Sequence, residues 1–146
     1  MKLTEGSPAP NFSTPDQDGY LHKLGDYAGK WLLLYFYPKD FTPGCTTEAC
    51  SLRDNFTELQ KLVNVIGIST DTVDSHKKFA DKYQLPFTLL ADNDKRITKA
   101  YGADGLIFNK RSSFLIGPDS IIKKIYEKVK PEQHAAEIIA DLKKLQ

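Results

Sequence analysis

Seven apolar or aromatic residues run without a break from Trp31 to Tyr37, and no other feature of the 146-residue chain limits its fold so strongly. Bounded by Gly29-Lys30 and Pro38, with no polar alternation, the run predicts a strand buried on both faces. Pro43-Gly44 is a turn dipeptide. After it Cys45, Ala49, Leu52, Phe56, Leu59 and Leu62 recur at spacings of three and four, which predicts one inward face of an α-helix from about Gly44 to Leu62. Strand, tight turn and helix together place Cys45 on that face, at or near its first position.

That position matters for chemistry. A helix N-terminus carries unpaired N–H groups and the positive end of the macrodipole, and both favour an anion. A cysteine there can have its pKa lowered from about 8.5 to roughly 3.5–7.5, and the thiolate is the nucleophile. The competing reading is a small buried residue that happens to start a helix, since free cysteine is commonly buried.

The neighbours of Cys45 shift the balance. Pro38-x-x-x-Thr42-x-x-Cys45 resembles the active-site signature of the peroxiredoxins. The wider stretch from Phe36 through Cys50 is similar to the Q-type subfamily, the bacterioferritin comigratory proteins, within the AhpC/TSA-like proteins. The likeness extends to Gly6-Ser7-Pro8-Ala9-Pro10-Asn11-Phe12 and to Arg111-Ser112-Ser113-Phe114-Leu115-Ile116, and so covers nearly the whole chain. It implies a thiol peroxidase acting on hydrogen peroxide and organic hydroperoxides. Cys45 would be the peroxidatic residue, passing through a sulfenic acid. The Thr42 hydroxyl would bond substrate and thiolate, and Pro38 would shield the pocket. Arg111 would stabilise the thiolate and the charge developing on the leaving oxygen. From its neighbours alone, Arg111 reads as a solvated strand-edge charge beside Lys110. The resemblance also implies recycling by thioredoxin or a glutaredoxin-like thiol donor, and a monomer.

By the same resemblance Cys50 resolves the sulfenic acid as a disulfide with Cys45. Five residues along an ideal helix give ~7.5 Å of rise and ~140° of rotation, leaving the Cα atoms roughly 8–9 Å apart. A disulfide needs less than about 7 Å with converging Cβ vectors. Dithiol and disulfide forms must therefore differ, and oxidation must unwind the helix start, where Thr46 and Thr47 are modest helix formers. The alternative is an inert Cys50, with an external thiol as resolver. Glu48, in the first turn, suits the helix dipole and is a further candidate for the proton network. Two other functions remain compatible with these residues: a redox sensor that reacts once and recycles slowly, and a non-catalytic thioredoxin-like scaffold.

A formal net charge of +1 argues against a nucleic-acid or anionic-membrane surface. No stretch of about 18 apolar residues occurs, and the N-terminus lacks a signal-peptide apolar region. Two cysteines do not make a secreted disulfide scaffold, so a reducing, cytoplasmic setting is expected. There is no Gly-x-Gly-x-x-Gly or Walker-type loop. His22, His76 and His134 are scattered and read as surface or boundary residues. No nucleotide, metal or other cofactor is expected. Cys-x4-Cys is not the Cys-x-x-Cys of a disulfide oxidoreductase, and a cysteine hydrolase would need a histidine base beside Cys45.

Along the chain, Phe12–Thr14 and Tyr20–His22 predict a weak hairpin around a turn at residues 16–19. Val63–Ser69 reads as a second buried strand. Asp71-Thr72 caps a helix with Val73, His76, Phe79, Ala80 and Tyr83 inward, closed by Leu85-Pro86. Phe87–Ala91 is a strand, and Asp92–Tyr101 a capped helix stopped by Gly102. Residues 103–110 form a loop. Ser112–Ile116 and Ile121–Val129 form a hairpin about Gly117-Pro118-Asp119-Ser120, a turn that lacks the usual glycine at its end. Pro131 opens a last helix with Ala135, Ile138, Ile139, Leu142 and Leu145 on one stripe. The order, with right-handed crossovers, predicts an α/β chain with a central mixed sheet flanked by helices and an N-terminal hairpin; this resembles the thioredoxin-like fold as peroxiredoxins elaborate it, and implies one such domain over residues 1–146. Phe41 stands where the resembled family commonly has a small or polar residue, and is expected to narrow or gate the pocket.

Overall fold

A computed structural model describes residues 3–146. Ser13–Pro15 (β1) and Leu21–Lys23 (β2) form the antiparallel N-terminal hairpin, about one residue later than expected because the Phe12 side chain turns into the core. The main sheet contains Leu32–Phe36 (β3), Asn64–Ser69 (β4), Thr88–Ala91 (β5), Ser112–Ile116 (β6) and Ile122–Tyr126 (β7). Its order is β5-β4-β3-β6-β7, with β3, β4 and β5 parallel and β6 and β7 antiparallel. This is the mixed thioredoxin-like sheet that the element order predicts.

Alternation along β3 sorts its side chains into two cores. Leu33, Tyr35 and Tyr37 join Cys45, Ala49 and Leu52 of helix Pro43–Asp54 (α1), Phe79 of helix Val73–Tyr83 (α3), and Ala135, Ile138 and Leu142 of helix His134–Leu145 (α5). Leu32, Leu34 and Phe36 pack with Phe12, Phe114 and Tyr101 on the other face, which also takes Ile97 of a short helix, Arg96–Ala100 (α4). The central strand is thus covered on both sides, as its unbroken apolar run requires.

Several boundaries differ from expectation. The long helix stops at Asp54 and resumes as Phe56–Leu59 (α2), because the Asn55 side chain donates to the Ser51 carbonyl and its backbone leaves the helical region. The helix expected from Asp92 begins at Arg96. Asp92 caps it from a distance, its carboxylate accepting from the Ile97 and Thr98 N–H groups and the Thr98 hydroxyl. Pro131 sits in a turn before α5, not at its start, and Leu145 at the C-terminal end is 46% exposed. Ser120 occupies the left-handed region at the turn end where a glycine was missed (φ +64°). The histidines correct the expectation most: His76 and His134 are buried outright, and only His22 lies at the boundary.

Candidate active site

Thr42 is the N-cap of α1, Pro43 fills the first helical position, and Cys45 is the third residue. The Thr46 N–H takes the Thr42 carbonyl, the first bond of the helical ladder, so the Cys45 N–H belongs to the set with no intrahelical partner. Cys45 is 2% exposed and part of the core beneath α1.

Arg111 precedes β6 and crosses to this helix end. Its Nη2 donates to Cys45 Sγ at 3.3 Å, and its Nη1 donates to Glu48 Oε1 at 2.7 Å. Gly44 permits the approach, since a Cβ there would stand 2.8 Å from Nη2. Burial alone would lower the Arg111 pKa, but the Glu48 and Cys45 charges outweigh it and raise the value. Glu48 lies one turn after Cys45 and is wholly buried. Burial pushes its carboxyl up to about 7, against the opposing pull of Arg111. Its Oε2 has no hydrogen-bond partner among the described residues, and neither has the Tyr35 hydroxyl. One guanidinium therefore serves two anion-forming groups. A neutral Glu48 leaves that positive charge to the sulfur.

The other expected residues fall unequally. Thr42 and Pro38 are half-buried on the segment that leads into α1. The Thr42 hydroxyl hydrogen goes to the Lys39 carbonyl at 2.7 Å, not toward the thiolate as expected, because the side chain turns back over its own loop. Towards a ligand it offers oxygen lone pairs. Cys50 is a half-buried free thiol in the same unbroken helix as Cys45. Phe41 has φ +67° and leans on Phe79 and Tyr83 of α3, with ring centroids 5.1 and 6.4 Å away.

The sequence reading missed a buried polar cluster beside the site. Asp40 accepts from the Tyr37 hydroxyl (2.6 Å) and the Ser75 hydroxyl (2.9 Å), and faces His76 Nδ1 at 2.7 Å. Ligand-type atoms of Asp40, Asp71 and His76 lie within 4.8 Å of one another, a grouping made by the fold and invisible as spacing. The signal was present in part, since periodicity put His76 on the inward face of α3. His134 is the other buried histidine. It ties the start of α5 to Ser113 of β6 at 2.7 Å, two residues past Arg111.

The arrangement can hold a sulfur anion against a guanidinium at a helix start and stabilise negative charge leaving from it. The profile of the AhpC/TSA family matches residues 6–125. Peroxiredoxin Bcp of Bacillus subtilis is 41% identical, over 98% of this chain and 97% of its own. Peroxiredoxin Q, chloroplastic, of Oryza sativa subsp. japonica is 40% identical, over 99% of this chain and 69% of its own. A cysteine-to-serine variant of Xylella fastidiosa PrxQ superposes with a TM-score of 0.94 at 32% identity, covering 99% of this chain and 98% of that one.

Proposed function

The chain belongs to the AhpC/TSA family, on its Bcp/PrxQ side, and is a thiol-dependent peroxidase; we propose that Cys45 is its peroxidatic residue, Cys50 the resolving thiol, and Arg111, Thr42 and Pro38 the groups that serve them. The observation that carries this reading is the 3.3 Å contact between Arg111 Nη2 and Cys45 Sγ at the start of α1. The thiolate attacks one oxygen of the hydroperoxide, the S–O bond forms and the O–O bond breaks. The leaving oxygen takes a proton and departs as water or an alcohol, with Cys45 left as a sulfenic acid. Arg111 faces both the sulfur and the charge that develops beyond it. Cys50 then attacks the sulfenic sulfur, expelling water, once the first turns of α1 open.

A thioredoxin-type donor is proposed to return the disulfide to dithiol. A single thioredoxin-like domain acting as a monomer is proposed from likeness to the Q-type proteins, and a reducing, cytoplasmic setting fits the cysteine count. Among the described residues no helix is long and apolar enough to cross a membrane. The test is peroxide-dependent oxidation of a thioredoxin system by the purified protein. In a Cys50→Ser variant, one equivalent of peroxide should still be consumed rapidly while thioredoxin-coupled turnover drops to background. Undiminished coupled turnover would remove Cys50 from the resolving role.

Glu48 gives the site a titration near neutrality. The unfolded carboxyl ionises near 4.5 and the folded one near 7, so between these values the native state holds a proton that the unfolded chain has lost. Stability must then fall as pH rises through the window, by about 3 kcal/mol in all, and level off above it. Glu48→Gln should flatten that slope, read from denaturant midpoints at intervals between pH 4.5 and 8. An identical slope in the variant would place the titration elsewhere.

A further inference from the structure

The segment that carries Pro38 and Thr42 is held at its centre by groups outside the helix it leads into. Asp40, at its centre, accepts from Tyr37 at the end of β3, from Ser75 of α3, and meets His76 of the same helix. The Asp40 N–H donates to Asp71 Oδ2 at 2.9 Å, an oxygen that also accepts from the Ser69 hydroxyl. His76 is anchored in turn by Nε2 on the Leu90 carbonyl of β5, at 2.9 Å. The side chains of Asp40 and His76 are 1% and 0% exposed.

Donor and acceptor counting defines what this contact needs. The Leu90 carbonyl can only accept, so Nε2 carries a hydrogen. Nδ1 faces a carboxylate oxygen that already accepts from Ser75. The 2.7 Å contact therefore requires a proton on one partner or the other, and buried polar groups this close are costly to leave unpaired. Next in sequence, Phe41 has a left-handed backbone that bulky residues rarely adopt, a state that lasts only where the surroundings over-determine it. Its ring rests on Phe79 and Tyr83. His76, Phe79 and Tyr83 form one stripe at i, i+3 and i+7 of α3, and that stripe fixes residues 40 and 41 together.

We propose that His76 is a positioning residue for the peroxide reaction: acting through Asp40, it fixes the segment that presents Pro38 and Thr42 beside Cys45. The proposal rests on the assignment of Cys45 as the attacking sulfur. It separates two properties of the site. Arg111 and the helix start favour the thiolate, whereas the α3 stripe decides whether a peroxide meets that thiolate in line. An alkylating agent needs only the first; a hydroperoxide needs both.

The test compares second-order rates of Cys45 with hydrogen peroxide and with iodoacetamide, in a Cys50→Ser background so that one thiol reports. His76→Leu and Asp40→Ala should lower the peroxide rate about tenfold or more relative to the iodoacetamide rate, the scale of a slightly misplaced reactant. Asp40→Asn should rescue the ratio to within about threefold, because its carbonyl can accept from Tyr37 and its amide can donate to a neutral His76 Nδ1. A folded His76→Leu protein that keeps the parent ratio overturns the proposal, as does an equal fall of both rates. Should the two disruptive variants fail to fold, Ser75→Ala removes one donor from the rim of the cluster. It should then lower the ratio about threefold, and an unchanged ratio would again overturn the proposal. If the parent protein reacts with peroxide no faster than a free thiol does, it is the assignment of Cys45 that falls, not the role of His76.

Discussion

Cys45→Ser is expected to reduce peroxide consumption to the uncatalysed background in a folded protein. Sulfur at this position is polarisable, readily ionised and able to accept an oxygen atom. A serine hydroxyl at neutral pH is none of these, and its attack on an O–O bond would yield no product that Cys50 could resolve. The fold should survive, because the substitution removes one atom's contact from Arg111 while the 2.7 Å bond to Glu48 remains. Circular dichroism and the thermal midpoint check that point. Peroxide removal at the parent rate would transfer the chemistry to another residue and remove the basis of the assignment.

Arg111→Met should give the second largest effect, a loss of about 10²–10³-fold in the peroxide rate constant, the scale found when one donor to a developing oxyanion is removed. The thiolate loses its nearest cation at the same time, so alkylation of Cys45 should also slow near neutral pH. That pattern separates Arg111 from the Asp40–His76 pair, whose loss should spare alkylation. A further consequence is electrostatic. Arg111 is what opposes the burial of Glu48, so its removal should move the Glu48 titration higher still and extend the pH range over which stability declines. An alkylation rate and a stability profile both equal to the parent's would place Arg111 outside the site's electrostatics.

Much of this was readable from the chain because it is local. The run from Trp31 to Tyr37 and the period of α1 need no partner to be recognised, and the strand and helix they predict are present, but the turn between them falls at residues 40–41 and Pro43-Gly44, read as a turn, opens the helix instead. Arg111 reads in isolation as a surface charge beside Lys110, and only likeness to a family marked it. What escaped depended on distant partners or on competition between signals. Asp40 and His76 are 36 residues apart and meet only because α3 returns over the end of β3. The break at Asn55 was hidden because Phe56, Leu59 and Leu62 continue the hydrophobic period across it, while one side-chain amide captures the Ser51 carbonyl. Thr42, like Arg111, was marked by likeness to the family. Its hydroxyl was free to choose the Lys39 carbonyl, a contact within its own loop that no spacing rule reports.

The register of the sheet pairs Phe36 with Ser112, which stations Arg111 one step beyond the last rung, opposite Tyr37. The cation is thus placed by the central sheet, whereas the sulfur and the Glu48 carboxyl ride on α1, whose first turns are proposed to open. An opening of those turns would carry the sulfur and the Glu48 carboxyl away from a charge that the sheet holds back. The guanidinium left behind would then favour return of the helix to the same place.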